Sequence, residues 1–465
     1  MELGRRRFTL ADQEWFAQLS GDRNPMHLDP LYARRTQSGA PVVHGIHGVL
    51  WALELFAGTA LDLRYDISVR FESFLYLNLD VQARLRRENG LISIFLESRG
   101  RKIATISLLS PDPRIRPNLA AATARPVPAA PIEQDFPEAI GARGAFFLQG
   151  ELSSYEMAFP NLGGKIGVPR VRAIAGLSTL VGMIVPGLHS IFSKCRIGLV
   201  QLTEDSGTLQ YEVRRSRAPL RQLSIGFASA GIYGGIDAFV RHPPIRQPSL
   251  EELDSAAENL DLSRQRALIV GGSRGLGELT AKLAALAGAD VTVTYARGEK
   301  EAKALCEHLS ARGLRCRARW LDVERLDGAS LEAGEFTHLY YFATPPIFTR
   351  TRDEYDPDQF AAFAAYYCDA FEALCRRLRG AGELSVFWHS STALEERPKG
   401  MIEYIMAKTA GEELCRELGR PKSGLKIHTL RLPRLATDQT ASVTPAQTHD
   451  AIDFIRLALD ELKDT

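Results

Sequence analysis

An acid and an imidazole stand close together in a stretch rich in turn-forming residues. The stretch is Leu19–His27, and its two ionisable candidates for catalysis are Asp22 and His27. Gly21 and the Asn-Pro pair that follows are turn residues, so the stretch is predicted to be a loop rather than a helix. A bend there can aim both side chains into one pocket, as an acid–base pair requires. The alternative is a polar surface loop with a solvated Asp and an unrelated His.

The flanking sequence predicts that this loop lies between two helices. Thr9 and Asp12 form a capping-box pattern, and apolar residues at helical spacing follow them. After the loop, the segment Pro41–Gly45 opens an apolar run from Ile46 to Ala57. That run is shorter than the ~20 residues of a membrane span and contains polar residues, so it is predicted to be a buried core helix.

This arrangement resembles the MaoC-like, (R)-specific enoyl-thioester hydratases and dehydratases of the hotdog fold. The family pattern is a helix, Gly-Asp-x-Asn-Pro-x-His, a spacer, and Pro-[IV]-[VA]-His-Gly at the start of a buried central helix. The resemblance implies that Asp22 and His27 are the catalytic pair. It also implies that the backbone N–H at Gly45 polarises the thioester carbonyl.

The whole chain has the composition of a globular protein with several domains. It has 465 residues, of which 45% are hydrophobic and 24% charged, and its net charge is +1. This balance gives no electrostatic case for nucleic acid or an anionic membrane surface, and no secretory leader is recognisable. The six cysteines have no CxxC spacing, which predicts reduced thiols, no metal site and a cytoplasmic location.

The predicted domains are a double hotdog of the α+β class followed by an α/β Rossmann domain. Strand-like runs follow the first buried helix. A faint repeat of the region around Pro41–Val49 occurs at Pro169–Leu177 without the Gly-Asp-x-Asn-Pro-x-His pattern, and it is followed by strands predicted at 195–202, 208–214 and 222–233. Chance resemblance of two buried helices is the alternative. The predicted boundaries are a MaoC-like hotdog at 1–110, a Pro-rich linker at 111–137, a degenerate second hotdog at 138–242, a linker at 243–264 and the Rossmann domain at 265–465.

Strands and helices alternate from residue 265 onward, which is typical of a parallel sheet. The buried strand Ala267–Val270 leads into the glycine-rich turn Gly271–Gly277 and then into a helix. Such a turn lets backbone N–H groups approach a pyrophosphate at the helix N-terminus. The flanking strand and helix are the context that supports a dinucleotide site.

Three further residues could form a proton-transfer site in this region. Tyr404 and Lys408 share a helix face at i and i+4, and Ser391 ends the preceding strand. A Lys⁺ near a phenol lowers the phenol pKa, which suits a proton donor. The alternative is an ordinary helix, because the Tyr-x-x-x-Lys spacing is common.

This third region resembles the short-chain dehydrogenase/reductases, most closely the 3-oxoacyl-thioester reductases. The resemblance implies that Ser391 holds the substrate carbonyl, Tyr404 gives the proton, and Lys408 tunes Tyr404 and binds the nicotinamide ribose. The remaining cofactor-binding residues that it implies are Gly271, Ser273, Arg274, Gly275, Leu276, Gly277, Asp322, Val323 and Thr437.

The cofactor is predicted to be NADPH. NAD-binding sites usually grip the ribose 2′-OH with an acid at the end of the second strand. The segment Thr294–Arg297 offers no acid there but does offer Arg297, and Arg274 is a second cation for a 2′-phosphate. The alternative is that Arg297 is a solvated loop residue.

The sequence thus predicts a bifunctional enzyme that reduces 3-oxoacyl thioesters and interconverts (R)-3-hydroxyacyl and trans-2-enoyl thioesters. Its substrates would be thioesters of coenzyme A or acyl carrier protein, and it would form a homodimer or a higher homo-oligomer. Departures from the reductase family at 342–345, at 366–369 and at Arg434 leave open a hydratase with a degenerate reductase domain. A non-catalytic acyl-thioester scaffold is a second alternative.

Overall fold

The structure is a computed structural model that describes residues 1–59, 65–111, 119–202, 207–326, 330–345, 347, 355–437 and 449–463. Contacts between Cα atoms divide the chain into two compact units, one containing Met1–Pro243 (unit 1) and one beginning at Pro244 (unit 2). Within these described ranges, no helix combines the length and the apolar character needed to cross a membrane.

The described part of unit 1 consists of one large sheet and the helices that pack on it. Its strands are β1 Glu2–Arg7, β2 Asp66–Phe71, β3 Asp80–Glu88, β4 Leu91–Ser98, β5 Arg101–Leu109, β6 Ala124–Arg125, β7 Arg143–Phe147, β8 Ser190–Leu199, β9 Thr208–Arg217, β10 Gln222–Ser229 and β11 Ile232–Val240. Its α-helices are α1 Leu10–Ser20, α2 Pro25–Leu28, α3 Pro30–Ala33, α4 Gly45–Ala57, α5 Phe136–Ala139, α6 Leu152–Ala158, α7 Pro160–Ile166 and α8 Val168–Thr179. A π-helical segment, Leu180–Ile184, continues α8.

The strand order of unit 1 repeats itself on the two sides of one strand pair. The sheet runs β1-β3-β4-β5-β2-β8-β11-β10-β9-β7-β6. Leaving out the edge strand β6, each half can be read from its outer side toward the centre of the sheet. The order is then β1-β3-β4-β5-β2 in one half and β7-β9-β10-β11-β8 in the other, which is the same order of first, third, fourth, fifth and second strand. Antiparallel pairing of Ile67 with Ile197 and of Val69 with Cys195 joins the two halves into one sheet. In each half, a long helix comes directly before the strand at the centre of the sheet: α4 before β2 in the first half and, with its π-helical continuation, α8 before β8 in the second.

The two long helices of unit 1 are buried against this sheet. Ile46, Val49 and Leu50 of α4 are fully buried, and so are Val171 and Ile174 of α8. All of them belong to a single apolar core that spans both halves. The buried helix predicted at 46–57 is confirmed, because an element that is apolar on every side is stable only inside a core.

Two predictions about unit 1 are wrong in detail. The stretch 19–27 is not wholly a loop, since Asn24 accepts a hydrogen bond from Met26 N–H and caps the one-turn helix α2. The single strand predicted at 222–233 is two strands, β10 and β11, joined by a tight turn at Gly231 (φ 66°). The capping box of Thr9 and Asp12 at the start of α1 is confirmed.

The described part of unit 2 is a parallel sheet with helices. Its strands are β12 Arg266–Val270, β13 Asp290–Tyr295, β14 Cys316–Trp320, β15 His338–Tyr341, β16 Leu384–Ser391 and β17 Leu425–Leu432. Its α-helices are α9 Leu250–Ala257, α10 Gly275–Leu286, α11 Glu299–Ala311, α12 Pro357–Ala364, α13 Ala370–Leu378, α14 Ala393–Glu396, α15 Ile402–Leu418 and α16 Ala451–Glu461. A π-helical segment, Ala365–Asp369, lies between α12 and α13.

The strand order of unit 2 is that of a Rossmann fold. The sheet runs β14-β13-β12-β15-β16-β17, and every described pair is parallel. The order reverses between β12 and β15, and ligands of such sheets bind beyond the carboxyl ends of the strands at this point. The segment predicted as a linker at 243–264 contains α9, whose Leu250 and Leu253 are fully buried in the core of unit 2.

Candidate active sites

The side chain of Asp22 is buried between the two halves of unit 1. Asp22 follows the left-handed Gly21 that ends α1, and only 2% of it is exposed. Its Oδ2 accepts a hydrogen bond from Ser178 Oγ at 2.6 Å, and its Oδ1 accepts one from Asn24 N–H at 3.1 Å. Burial raises the pKa of the Asp22 carboxyl, and the charge of His27 and these two hydrogen bonds oppose the rise.

His27 lies on α2 beside this carboxylate. Its Nδ1 is 2.8 Å from the carbonyl oxygen of Val42, so Nδ1 carries the proton and Nε2 is left as the acceptor. Burial lowers the pKa of His27, while Asp22 and the Val42 carbonyl oppose this change. The pKa of the acid is raised and the pKa of the base is lowered, so the proton affinities of the two groups approach each other.

His44 completes the cluster from the start of α4. Its ring stacks on that of His27 with centroids 3.9 Å apart, and its Nε2 lies 4.0 Å from Asp22 Oδ2. Gln13 Oε1 accepts a hydrogen bond from the His44 backbone N–H at 2.9 Å. The same oxygen is 3.0 Å from the ring Nδ1 of His44. Asp22, His27 and His44 offer ligand atoms within 4.8 Å of one another. Ser178 and the Asn24 N–H already hydrogen-bond the two carboxylate oxygens of Asp22.

A cavity of about 90 Å³ opens beside this cluster. Gly45 lines it and is the first residue of α4, so its N–H has no partner within the helix. A Cβ at Gly45 would lie 2.8 Å from the Phe71 ring, which requires glycine there. The remaining walls are mostly apolar side chains from both halves, among them Phe74, Leu75, Leu96, Ile103, Val181 and Phe192.

The second half of unit 1 supplies contacts that the sequence did not predict. Asn24 Nδ2 donates to the Gly182 carbonyl at 2.9 Å, and Thr179 Oγ1 donates to the Ser20 carbonyl at 2.6 Å. A Cβ on Gly182 would collide with Asp22 Oδ1. More than 150 residues separate these partners in sequence, so no local pattern could have revealed them. The polar Ser178-Thr179 pair in an apolar helix was the one available signal.

The glycine-rich turn of unit 2 has a dinucleotide-binding geometry. Gly271 (φ 78°) makes the sharp exit from β12, and a Cβ at Gly277 would collide with the Gly271 carbonyl. Gly275 begins α10, and a Cβ at this position would meet no atom within 4 Å. These are the three roles of turn, close packing and ligand approach in such a site. The residues present therefore fit a bound pyrophosphate.

Ser391 and Tyr404 lie together at the carboxyl end of β16. A hydrogen bond links the two side chains and favours the Tyr404 phenolate, and Ser391 Oγ also accepts from Ala393 N–H at 3.2 Å. Burial outweighs this bond and raises the pKa of Tyr404 to about 12. Tyr404 is only 6% exposed, so its hydroxyl is protonated at neutral pH and is able to donate.

Lys408 occupies a different environment from the predicted one. Its ammonium donates to the His389 carbonyl at 2.6 Å and lies over the rings of Tyr367 and Trp388, at 3.9 and 4.3 Å from their centroids. Burial lowers the pKa of Lys408 well below its ordinary value. The predicted lowering of the Tyr404 pKa by Lys408 is therefore wrong, because burial dominates that pKa.

The other predicted cofactor residues lie around the same edge of the sheet. Ser273 is buried in the turn, Leu276 is part of α10, and Arg297 is exposed just after β13. The Asp322 carboxylate forms an ion pair with Arg325 at 3.0 Å, and Val323 is buried. Arg274 precedes α10 at its N-cap, and Thr437 follows β17, at the end of a described range.

The departures from the reductase pattern form a packed cluster. Thr344 shares a short hydrogen bond with the hydroxyl of Tyr367, and the Phe342 ring stacks on His389 with centroids 5.7 Å apart. Tyr367 also contacts the Lys408 ammonium through its ring face. Tyr367, in one of the departing segments, thus forms an aromatic cage around Lys408 together with Trp388.

Comparison with known families gives two separate matches. Residues 4–103 match the profile of the MaoC like domain, and residues 265–333 match that of the short chain dehydrogenases. The site in unit 1 and the turn in unit 2 thus belong to a hydratase-type and an oxidoreductase-type region. The chain carries a MaoC-like hotdog domain in its N-terminal region and a short-chain dehydrogenase domain, with a Rossmann-like parallel sheet, in its C-terminal region.

Relatives with assigned names match over short segments. An (R)-specific enoyl-CoA hydratase from Aeromonas caviae is 49% identical over 41 residues, which cover 9% of this chain and 31% of that protein. The fatty acid synthase beta subunit stcK from Emericella nidulans is 51% identical over 37 residues, which cover 8% of this chain and 2% of that protein. This chain therefore spans less than a third of the length of either relative.

Solved structures similar to this chain include short-chain dehydrogenases. One from Burkholderia cenocepacia in complex with NADP is 26% identical, with a TM-score of 0.35, and the match covers 42% of this chain and 89% of that one. The angucycline C-6 ketoreductase LanV with bound NADP is 19% identical, with a TM-score of 0.38, and the match covers 44% of this chain and 90% of that one.

The close approach of Gly182 to Asp22 predicts an asymmetry between two glycine substitutions. Gly182→Ala should destabilise the protein by about 1–3 kcal/mol, because the added methyl overpacks a buried carboxylate. Gly164→Ala is the matched control, since Gly164 lies in α7 and its Cβ would meet nothing within 4 Å. It should stabilise the protein by about 0.5–1 kcal/mol through helix propensity. Calorimetric unfolding measures both, and equal effects would contradict the contact.

Proposed function

We propose that this chain is a bifunctional acyl-thioester enzyme. The hydratase site of unit 1 interconverts (R)-3-hydroxyacyl and trans-2-enoyl thioesters, and the reductase site of unit 2 converts 3-oxoacyl to (R)-3-hydroxyacyl thioesters with NADPH. The observation that carries the proposal is the pair formed by the buried Asp22 and the partly buried His27, beside an apolar cavity under the Gly45 N–H. The Aeromonas caviae hydratase, which matches over a short segment, is named for the same chemistry.

The geometry of unit 1 accounts for each proton of the hydration. Water adds its oxygen to C3 of the enoyl thioester, and a proton is added to C2. One member of the Asp22–His27 pair takes a proton from the water and the other gives a proton to C2. His27 uses Nε2, because its Nδ1–H donates to Val42. The Gly45 N–H stabilises the charge that develops on the thioester oxygen.

The second half of unit 1 is proposed to be a degenerate hotdog, so that residues 1–110 and 138–242 form a double hotdog. The repeated strand order supports this assignment, and so does the equivalent placement of α4 and α8. The second copy lacks the Gly-Asp-x-Asn-Pro-x-His pattern. Its residues instead wall the cavity beside Asp22.

In unit 2, Tyr404 is proposed to give the proton that the carbonyl oxygen needs when the ketone is reduced. Bound NADPH would supply the hydride. Ser391 would hold the carbonyl oxygen beside the Tyr404 hydroxyl, to which it is already hydrogen-bonded. Lys408 would contact the nicotinamide ribose, and Thr437, Asp322 and the glycine-rich turn would contact the rest of the cofactor.

There are two alternatives, and one of them has an observation in its favour. The aromatic cage around Lys408, with the pKa of Tyr404 raised, favours a hydratase whose reductase domain is degenerate. A non-catalytic scaffold that binds acyl thioesters is the other. Whether the thioester is carried by coenzyme A or by acyl carrier protein would be decided by assaying both carriers. A homo-oligomer and a cytoplasmic location stay predictions.

Reciprocal variants test the two activities in one protein. Asp22→Asn or His27→Ala should lower hydration of a crotonyl thioester by ~10²–10⁴-fold and leave NADPH-dependent reduction of an acetoacetyl thioester intact. Tyr404→Phe should stop NADPH oxidation and leave hydration intact. The (R) isomer should dominate the hydroxyacyl product of Asp22→Asn on chiral chromatography. Hydration at the wild-type rate in Asp22→Asn would refute the hydratase assignment.

The cofactor preference tests the roles of two arginines. Arg274 and Arg297 should grip the 2′-phosphate of NADPH through charge-assisted hydrogen bonds. The double variant Arg274→Ala/Arg297→Ala should therefore bind NADPH and NADH equally in a fluorescence titration, while the wild type prefers NADPH. Arg312→Ala, on a surface ion pair with Asp254, is the matched control and should keep the preference. Equal binding of both cofactors by the wild type would contradict the assignment.

A further inference from the structure

We propose that Ser178, in the half of unit 1 that lacks the Asp-His pair, is a positioning residue that sets the proton affinity of Asp22. This inference rests on the proposed hydratase function. Ser178 lies in α8 and is 5% exposed, and its hydroxyl donates to Asp22 Oδ2 at 2.6 Å. The second half would thus contribute an electrostatic element to the chemistry as well as a wall of the cavity.

The surroundings of Asp22 make this hydroxyl a strong influence. The other ionisable residues that line the described cavity are His27 and His44, from α2 and the start of α4. The π-helical segment after α8 brings only the uncharged Gly182 against the carboxylate. The charged form of Asp22 is therefore stabilised by His27, the Asn24 N–H and the Ser178 hydroxyl. A hydrogen bond to a charged group in such a site is stronger than one in water.

Loss of the Ser178 hydroxyl has a defined sign. The hydroxyl donates to the carboxylate but cannot donate in the same way to the protonated acid, so its removal favours the protonated form. The titrations of Asp22 and His27 are coupled. The apparent pKa values that the pH dependence of hydration reports therefore belong to the pair and not to either residue alone. Whichever limb of the profile Asp22 controls must move to higher pH, and neither limb can move to lower pH. A shift of about one pH unit, or tenfold in proton affinity, is expected.

The experiment compares pH profiles of kcat/KM for hydration of a crotonyl thioester by the whole chain. Ser178→Ala should move one limb upward by about one unit, and Ser178→Thr, which retains the hydroxyl, should restore its position. The matched control is Thr179→Val, which removes the neighbouring buried hydroxyl that donates to the Ser20 carbonyl. Both limbs of the Thr179→Val profile should lie at the same pH as those of the wild type, even where the absolute rate of the variant differs.

The outcomes separate this inference from the proposed function. If Asp22→Asn abolishes hydration but Ser178→Ala leaves both limbs in place, the hydratase function stands and the role of Ser178 is refuted. If Thr179→Val shifts the profile as far as Ser178→Ala does, the effect is structural and the inference is also refuted. If Asp22→Asn still hydrates, the proposed function itself fails.

A second, independent observation lies in unit 2. Cys306 of α11 and Cys316, the first residue of β14, have Sγ atoms 2.8 Å apart. This separation is less than 1 Å longer than the ~2.05 Å of a disulfide bond. Cys306 is 9% exposed, and Cys316 is partly exposed and therefore accessible to a small oxidant. We infer that the pair is a reversible disulfide site that links α11 to β14.

The chemistry of this site is thiol–disulfide exchange with a small-molecule disulfide such as oxidised glutathione. One cysteine of the pair, as its thiolate, attacks the glutathione disulfide and releases one glutathione thiol. The other cysteine then attacks the mixed disulfide and releases the second. The two cysteines lose two protons and two electrons in total, and the oxidant leaves as two thiols.

Mass spectrometry of the intact chain tests the site. After incubation with oxidised glutathione and alkylation in denaturant, two of the six cysteines should be lost to alkylation, and a peptide linked through Cys306 and Cys316 should be found. Cys375, which is fully buried, should remain alkylatable and serves as the internal control. Cys306→Ser should instead leave a glutathione adduct on Cys316. Such an adduct on the wild type, or six alkylated cysteines, would overturn the inference.

Discussion

The burial of one carboxylate is the constraint on which the structure of unit 1 depends. Asp22 is 2% exposed, and a buried charge is costly unless it is paired or hydrogen-bonded. Its partners come from three directions: the adjoining turn, the two histidines, and a helix more than 150 residues away. Burial raises the pKa of this carboxyl and the donors oppose the rise, so its proton affinity depends on both. Unit 1 therefore brings two halves together around a single carboxyl group.

This constraint gives a physical reason for a second half that lacks the Asp-His loop. The pairing of β2 with β8 makes one sheet from both halves, and α8 then reaches the loop after α1. Asn24 donates to the Gly182 carbonyl, while Gly182 itself leaves room for the carboxylate. A residue with a side chain at 182 would occupy the space of the acid. The second half therefore needs a glycine at 182, although it lacks the Gly-Asp-x-Asn-Pro-x-His pattern.

Unit 2 buries a charge of the opposite sign by different means. Lys408 is fully buried and has the His389 carbonyl and two aromatic faces as partners. Cation–π contacts of a desolvated ammonium can be worth about 2 kcal/mol or more, which offsets part of the cost of burial. One ring of this cage, Tyr367, lies in the segment 366–369, where the sequence departs from the reductase family. The cage therefore keeps Lys408 beside the strand ends while it changes the surroundings of Tyr404.

The sequence by itself determined the elements with local signals: the Thr9 cap, the buried helix α4, the strand–glycine–helix turn at Gly271, and the alternation of unit 2. Hydrophobic periodicity and turn chemistry act over a few residues, so they can be read without a fold. The division of 222–233 into β10 and β11 and the packing of α9 into unit 2 depended on tertiary contacts. So did Ser178, Gly182 and the cage around Lys408, because contacts between residues far apart in sequence, and the burial that shifts a pKa, exist only once the chain has folded.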